Sequence, residues 1–275
     1  MIIVTGAKGL LGKEVVKQFK KMGYEVYPIA RQDLDLSESN LLNIGFIPDA
    51  IIHLAAAVPT SLNYDDTNLS SKITRKIDIN IFNATKIWKC KLIYASSCSV
   101  YKKNNEIKKE NSELDLESKS HYVRAKISGE KQALDIEGST ICRLPALIGN
   151  NMQSKSILSV FINNIKEKGY IELWGNGSRE QNFLDVSDVA KAFDLILQTK
   201  TDYKIFNIAN NQTVTMKELA NIVIKMSKAG KISYTNQQDP NENLCVKYNV
   251  NLAEKVLKWS PVKSIEETIE GILNS

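Results

Sequence analysis

The stretch TGAKGLLG, residues 5–12, places three glycines in eight positions directly after the apolar run MIIV (1–4). The segment EVVKQFKKMG (14–23) follows with helical periodicity, so the order is strand, glycine turn and helix. Gly6 permits a tight turn, Gly9 permits a pyrophosphate to approach the backbone, and Gly12 permits the helix to pack closely on the strand. The free amides at the helix start favour an anion. The stretch therefore predicts a dinucleotide site, with a βα turn that binds no ligand as the alternative.

Short apolar runs alternate with helical segments over the first 150 residues. The predicted strands are MIIVT (1–5), YEVYPIA (24–30), DAIIHLAA (49–56), KLIYASS (91–97) and STICRL (139–144), and the predicted helices between them span 10–22, 68–87 and 120–136. This alternation is typical of an α/β fold with a Rossmann-like, doubly wound parallel sheet.

After about residue 150 the alternation loosens, and we predict helices over 187–199, 215–228 and 264–273. Two of them open with the spacing of a capping box, Thr215 to Glu218 and Ser264 to Glu267. We predict a dinucleotide-binding domain over residues 1–150 and a smaller C-terminal substrate lobe over 151–275. This lobe is expected to be discontinuous, with some segments returning to the first domain.

Composition excludes several classes of protein. The 275 residues are 43% hydrophobic with a net charge of +5, enough for a large core but without the gathered basic residues of a nucleic-acid-binding surface. The tract YKKNNEIKKENSE (101–113) is interpreted as a solvated loop. No metal site or disulfide framework is expected from the four scattered cysteines and two histidines: Cys90, Cys98, Cys142, Cys245, His53 and His121. The short N-terminal apolar run predicts neither a signal peptide nor a membrane helix, which leaves the cytoplasm as the default location.

A second constellation lies in YASSCSVY (94–101) and HYVRAK (121–126). Tyr122 and Lys126 stand four residues apart and share one face of a predicted helix, so the ammonium can lie beside the phenol and favour its deprotonation. Ser97 ends a predicted parallel strand, and the carboxyl edge of such a sheet is where catalytic groups lie. These three residues predict a site that exchanges a proton at neutral pH.

With TGxxGxxG, a strand ending in SSxSVY and YxxxK in this order, the chain resembles the extended short-chain dehydrogenase/reductase family, the NAD-dependent epimerases and dehydratases of nucleotide sugars. The resemblance extends over nearly the whole chain, through DLDL (33–36), HLAAAVP (53–59), CRLPALIG (142–149), GNGSREQNFLDVSDVAKA (175–192) and AEKVLKWSP (253–261). It implies cofactor contacts at Gly6, Lys8, Gly9, Leu10, Leu11, Gly12, Arg31, Asp35, Leu36, Leu54, Ala55, Ala56, Tyr122, Lys126 and Pro145. It also implies a substrate site that includes Pro59, Cys98, Arg179 and Gln181.

The resemblance further implies a role for each catalytic residue. Tyr122 is expected to be the acid/base, Lys126 to tune it and hold the nicotinamide ribose, and Ser97 to hydrogen-bond the reacting oxygen. Cys98 either lines the substrate pocket or is a small buried filler. A homodimer is expected, because in the family the helices that match 68–87 and 120–136 pair across a two-fold axis.

The chain departs from the family at residues that contact substrate phosphate. Gln181, Asn182 and Phe183 stand where many members have Arg-Asp-Phe, and no arginine is present near Asn241. Arg179 can take the place of the first arginine if its segment is a regular strand, in which it shares a face with Gln181. An asparagine common in the family is Ala146 here. A nucleotide-linked sugar is still the predicted substrate.

The end of the second strand bears on the cofactor. Ala30 and Arg31 stand where NAD-preferring members have an acidic residue, and Lys8 adds a second positive charge, so NADP is the predicted cofactor. Asp33 or Asp35 lies close enough in the sequence to leave NAD as the alternative cofactor. A cofactor exchanged at every turnover favours reduction of a 4-keto nucleotide sugar. The alternatives are an epimerase or dehydratase that retains NAD and a non-catalytic protein that senses the cofactor.

Overall fold

The computed structural model describes residues 1–57, 64–150, 152 and 154–274. The strands are β1 (Ile2–Thr5), β2 (Val26–Ile29), β3 (Ala50–His53), β4 (Lys91–Ser97), β5 (Ser139–Leu144), β6 (Ala146–Ile148), β7 (Tyr170–Leu173), β8 (Glu180–Gln181), β9 (Phe183–Asp185), β10 (Ile205–Asn207), β11 (Val214–Thr215) and β12 (Lys231–Tyr234). The helices are α1 (Leu10–Lys21), α2 (Tyr64–Trp88), α3 (His121–Leu134), α4 (Ile157–Lys168), α5 (Val186–Gln198), α6 (Met216–Ser227), α7 (Asn251–Leu257) and α8 (Ile265–Leu273).

Six strands form one parallel sheet in the order β2-β1-β3-β4-β5-β10. The chain leaves β1 for β2 on one side and returns to the other side of β1 for β3, so the order reverses at β1. In open α/β sheets, ligands bind at the carboxyl ends of the strands beside such a reversal. The glycine turn after β1 lies at this place, and the predicted Rossmann-like sheet is confirmed.

Alternation along β1 divides its side chains between two buried layers. Ile2 and Val4 pack on one face of the sheet with Phe19 of α1 and Phe193 of α5. Ile3 packs on the other face, in a core that includes Ile81 of α2. Because successive residues of a strand point to opposite faces, a continuous apolar run is what a strand covered on both sides requires.

A third core lies apart from the sheet. Leu158 and Phe161 of α4 pack there with Ile171 of β7, Leu219 of α6 and Ile269 of α8. Three two-stranded pairs, β7 with β12, β8 with β11, and β6 with β9, belong to this part of the chain. Between these elements the chain returns to the large sheet, where β10 pairs with β5 and α5 packs with α1.

Local signals in the sequence placed most of these elements. β4 and β5 have the bounds that the sequence predicts, and both predicted capping boxes are present, at Thr215 with Glu218 and at Ser264 with Glu267. The sequence analysis missed the seven strands from β6 to β12 and the helices α4 and α7. No helix within the described ranges is long and apolar enough to cross a membrane. The same ranges hold no cluster of His, Cys, Asp or Glu able to bind a metal ion.

Candidate functional site

The glycine turn is held by backbone contacts that no larger residue could make. Gly6 has φ +66°, and a Cβ added there would lie 2.9 Å from the backbone nitrogen of Ala55. A Cβ on Gly12 would lie 2.2 Å from the carbonyl oxygen of Gly6. Gly6 and Gly12 are therefore required by the close packing of the turn, β3 and α1.

Gly9 differs from the other two glycines because a side chain there would meet a single neighbouring atom. A Cβ there would meet only the Gly6 oxygen, at 3.1 Å. Gly9 is also the N-cap of α1, and no side chain caps this helix among the described residues. The first amides of α1, from Leu10, Leu11 and Gly12, are therefore available to an anion. These features fit the pyrophosphate of a dinucleotide cofactor.

Charges of both signs surround the turn that follows β2. The Lys8 ammonium lies 3.8 Å from Asp33 Oδ1, and Arg31 Nε donates to Asp35 Oδ2 at 3.2 Å. Hydrogen bonds from the side chain and backbone of Ser37, together with Arg31, lower the pKa of Asp35. Both cations and both carboxylates thus lie where the adenosine ribose of a cofactor is expected.

The other predicted cofactor residues divide between the turn and the core. Thr5 Oγ1 accepts hydrogen bonds from the backbone nitrogens of Leu54 and Ala55, each at 3.1 Å, which ties the segment after β3 to the glycine turn. Ala56 follows in the same partly buried segment. Leu36, in contrast, is buried in the core beside α2.

Ser97 and Tyr122 reach the same cleft from neighbouring elements. Ser97 ends β4, where its Oγ accepts the backbone N–H of Ser99 at 3.2 Å and lies 2.8 Å from Ser99 Oγ. Tyr122 is the second residue of α3 and is 47% exposed. Both line a cleft of about 760 Å³, as does Pro145 after β5. The structure therefore places the predicted proton donor and the predicted serine on one wall.

Lys126 lies deeper than Tyr122 on the same helix. It is 5% exposed, and its Nζ donates to the carbonyl oxygen of Ala95 at 2.8 Å. The same nitrogen lies 4.8 Å from the centroid of the Tyr94 ring, a cation–π contact. An ammonium has three donors, so one bond to Ala95 leaves two for other partners.

A buried series of hydrogen-bonded side chains, which the sequence analysis missed, connects Tyr94, whose ring contacts Lys126, to the glycine turn. Tyr94 Oη donates to Asp78 Oδ2 at 3.1 Å, and Asp78 Oδ1 lies 2.9 Å from His53 Nε2. His53 Nδ1 in turn lies 2.8 Å from Thr5 Oγ1. His53 is thus buried, with both ring nitrogens within hydrogen-bond distance of a partner. No local pattern marks Asp78 as its partner, because the two are joined only when α2 packs on the sheet.

A buried ion pair supports the strand ends beside Ser97. Arg143 of β5 makes two hydrogen bonds to Glu130 of α3, at 3.0 and 2.7 Å, and Ser96 Oγ also contacts Glu130. Cys98 is buried next to this group, and burial raises the pKa of its thiol well above the usual value. Cys98 lines the cleft as a neutral thiol, so both of its predicted roles, pocket lining and buried filler, describe it.

The part of the chain after residue 150 also contributes to the lining of the cleft. Arg179, Gln181 and Asn241 lie there, and Arg179 Nε is 2.9 Å from Asp239 Oδ2. This ion pair lacks hydrogen-bond geometry at Nε. A second pocket of about 400 Å³, lined in part by Trp174, adjoins the cleft at Arg179 and Asn241. Of the predicted substrate residues, Cys98, Arg179 and Gln181 meet in one cleft, and Pro59 lies outside the described residues.

The interpretation of residues 101–113 as a solvated loop is wrong in one respect. Lys102, Lys103, Asn104 and Lys108 line the cleft, and Lys108 is buried. The tract passes along the cleft, and Tyr101 Oη donates to Asn207 Oδ1 at 2.5 Å, which holds the start of the loop against β10. Its alternating lysines and asparagines carry no local signal of this burial.

A parallel sheet of this order, with a glycine turn where the order reverses, defines a Rossmann-like protein of the NAD-binding class. Residues 2–209 match the NAD dependent epimerase/dehydratase family, and the chain belongs to that family. This confirms the resemblance drawn from the sequence.

Three comparisons illustrate the relationship. The chain is 24% identical over 305 aligned positions to the putative UDP-glucose 4-epimerase of Methanocaldococcus jannaschii, covering 100% of this chain and 97% of that protein. It is 23% identical over 199 positions to dTDP-4-dehydro-6-deoxyglucose reductase of Escherichia coli, covering 67% and 61%. The fold is similar to that of DesIV, a dTDP-glucose 4,6-dehydratase from Streptomyces venezuelae solved with NAD and TYD bound. Its TM-score is 0.85, with 18% identity and coverage of 99% and 95%.

Proposed function

We propose that this chain reduces a 4-keto nucleotide sugar with NADPH and that Tyr122 donates the proton. The observation that carries the proposal is the cleft between the sheet edge and the later part of the chain. Ser97, Tyr122 and Arg179 all line this cleft, and Arg179 also borders the second pocket. A sugar bound at Tyr122 can therefore extend its diphosphate towards Arg179 and its nucleoside towards the second pocket.

The side chains suggest how the proton is handled. Ser97 Oγ accepts the N–H of Ser99 and shares a 2.8 Å hydrogen bond with Ser99 Oγ; with Ser99 as the donor of that bond, the Ser97 hydrogen is available to the keto oxygen of the substrate. Tyr122 protonates that oxygen as the adjacent carbon is reduced. Lys126 holds a positive charge beneath Tyr122 and has donors left for the nicotinamide ribose. The cofactor, when bound, supplies the hydride.

The preference for NADPH rests on Lys8 and Arg31. No acidic residue ends β2, where Ala30 is followed by Arg31, a side chain that is 76% exposed. A 2′-phosphate would gain two cations there and would compete with Asp33 and Asp35 for them. These two carboxylates are also what favours the second candidate, an epimerase or dehydratase that retains NAD. The third candidate is a non-catalytic protein that senses the cofactor, in which Tyr122 has no catalytic role.

Turnover distinguishes these candidates. Purified protein is assayed for oxidation of NADPH and of NADH against a panel of nucleotide-linked 4-keto sugars. The Tyr122→Phe variant is expected to lose about 10²- to 10⁴-fold in kcat and to keep its affinity for the cofactor, because the ring remains and only the proton donor is lost. The surface substitution Tyr203→Phe is the matched control. A Tyr122→Phe variant that keeps more than about half of its activity contradicts the proposed role.

The cofactor assignment has its own variant. Arg31→Ala is expected to raise KM for NADPH by about tenfold and to leave KM for NADH nearly unchanged, because only NADPH presents a phosphate to the guanidinium. Lys21→Ala removes a charge at the far end of α1 and serves as the control. Equal losses with both cofactors, or a wild-type preference for NADH, would favour the NAD-retaining epimerase.

We also propose that the chain forms a homodimer through α2. Leu69, Ile79 and Ile87 are 57%, 47% and 62% exposed. Their separations of 10 and 8 residues place them within one stripe of the helix, and an isologous contact would bury that stripe on both subunits. Light scattering at micromolar concentration tests this, and a monomer alone would contradict it.

A further inference from the structure

The loop over residues 101–120 presents four lysines to the cleft, and none of its glutamates is among the lining residues. Glu113 pairs with Lys102 at 2.9 Å, and Glu110 accepts the backbone N–H of Asn207 at 3.0 Å. Glu106 bonds Asn104 at 3.0 Å. The loop residues that line the cleft include one carboxylate, Asp115, and four lysines: Lys102, Lys103, Lys108 and Lys119. We call Lys103, Lys108 and Lys119 the lysine wall.

Lys108 is the least expected member of the wall because it is 4% exposed. Its Nζ contacts the amide oxygen of Asn104, and no carboxylate of the described residues lies within ion-pair distance. Its backbone is held on both sides, since its N–H donates to Lys247 and its carbonyl accepts from Asn249. A buried cation without a counter-ion is unfavourable unless something of opposite charge approaches it. The cleft that Lys108 lines is where such an anion can bind.

The other two lysines of the lysine wall also lack a carboxylate partner in the part of the chain that the structure describes. Within the described part of the chain, neither Lys103 nor Lys119 forms an ion pair. Asp115 and Glu180 also line the cleft, and Glu180 lies 3.9 Å from Lys247, so these carboxylates do not balance the three lysines of the wall. The wall therefore carries a net positive charge towards the cleft.

Two residues of the lysine wall are close in the chain to the proposed catalytic residues. Lys103 lies six residues after Ser97, Lys119 lies three residues before Tyr122, and all four line the cleft. Arg179 and Asn241, in contrast, also border the second pocket. A nucleotide sugar oriented with its reacting carbon at Tyr122 directs its diphosphate to Arg179. The lysine wall is then left to face the substituents of the sugar ring.

We propose that the lysine wall binds a carboxylate on the sugar, so that the substrate class is a nucleotide-linked sugar acid. This inference rests on the proposed function, which supplies the orientation of the substrate. Charge-assisted hydrogen bonds from ammonium groups to a carboxylate are the chemistry that such a wall offers. A neutral sugar would leave Lys108 buried without a counter-ion.

Equilibrium binding to protein saturated with NADP⁺ tests the proposal. Titration calorimetry compares UDP-glucuronic acid with UDP-glucose, GDP-mannuronic acid with GDP-mannose, and each pair with UDP or GDP alone. The wild type is expected to bind one of the acids about tenfold more tightly than its neutral partner. In Lys103→Met/Lys119→Met the two members of that pair are expected to agree within about twofold, with binding of the nucleoside diphosphate unchanged.

Two further variants complete the design. Lys109→Met changes an exposed lysine of the same loop that does not line the cleft, and it should keep the wild-type preference. Lys108→Met replaces the buried ammonium by an apolar chain of similar length, and circular dichroism checks its fold. The exposed double variant decides the question if Lys108→Met does not fold.

Each remaining outcome counts against the inference in a distinguishable way. Binding of UDP or GDP without preference for either acid refutes the inference and leaves the proposed function standing. Equal weakening of UDP, UDP-glucose and UDP-glucuronic acid in the double variant assigns the lysines to the diphosphate and also refutes it. If no nucleoside diphosphate or nucleotide sugar binds, the proposed function fails and the inference fails with it.

Discussion

Substitution of Gly12 and of Gly9 by alanine should have opposite consequences, although the two residues lie three positions apart in one motif. A Cβ on Gly12 would lie 2.2 Å from the Gly6 oxygen and 2.8 Å from the Ala7 Cα, and both of these are backbone atoms. A Cβ on Gly9 would meet only the Gly6 oxygen, at 3.1 Å. Gly12 should therefore be required for the stability of the fold, and Gly9 should be required for binding of the cofactor.

The magnitudes follow from these contacts. A glycine-to-alanine change inside a helix ordinarily gains up to about 1 kcal/mol of stability. At Gly12 the overlap with backbone on two sides cannot be relieved by rotating a side chain, and overpacking of this kind costs about 1–3 kcal/mol or more. We expect Gly12→Ala to lower the free energy of unfolding by about 2 kcal/mol. Gly9→Ala lies at an N-cap and should lower it by less than about 1 kcal/mol.

Two assays separate the effects. Urea denaturation measures the free energy of unfolding, and calorimetric titration with NADP⁺ measures affinity. Gly9→Ala should keep nearly the stability of the wild type. Its affinity for NADP⁺ should fall about tenfold or more, since the added methyl group takes up space beside the amides of α1 that would bind the pyrophosphate. The reasoning is refuted if Gly12→Ala is as stable as the wild type, or if Gly9→Ala binds the cofactor normally.

Two further predictions concern stability. Arg143→Met leaves Glu130 buried without its ion-pair partner and should destabilise the fold by about 3–5 kcal/mol, measured by urea denaturation. The control Lys102→Met removes an exposed ion pair and should leave the denaturation midpoint unchanged. Equal midpoints in the wild type and both variants would show that the buried pair is dispensable. Burial opposes ionisation of Asp185, but hydrogen bonds from Ser187 outweigh it and lower the pKa of Asp185. Its contribution is therefore present above the unfolded-state pKa of about 3.9 and is lost as pH falls through the lower folded-state pKa. Asp185→Asn should consequently lose stability at pH 7 and show a smaller further loss on acidification than the wild type; an identical pH dependence would count against this carboxylate.

The elements that could be predicted from the sequence are those specified by residues close together in the chain. β4 and β5 were predicted with their bounds because each is a short segment with apolar residues at its centre, and α6 and α8 begin at capping boxes four residues long. The α2 helix begins at Tyr64, four residues before its predicted start, and β10 is too short for its pattern to stand out. Length and periodicity thus set the limit of this kind of prediction.

The candidate site shows the same division. Ser97, Tyr122 and Lys126 were recognisable because strand end and helix spacing are local properties, and the structure places all three beside the end of β4. The pairing of His53 with Asp78 joins β3 to α2, and that of Arg143 with Glu130 joins β5 to α3. Each of these partners carries an ordinary polar pattern in the sequence, so only packing reveals it.

The sequence by itself determined the glycine turn, the parallel sheet and the residue types available for proton transfer, because glycine conformation, strand alternation and helical spacing operate within a few residues. Tertiary structure alone decided which charges are buried and which of them face one another. Lys108 is the clearest case, since its neighbours in the chain predict a solvated lysine and the fold encloses it beside the cleft. The physical reason is that desolvation depends on atoms brought from distant parts of the chain, as Lys247 and Asn249 are brought to Lys108.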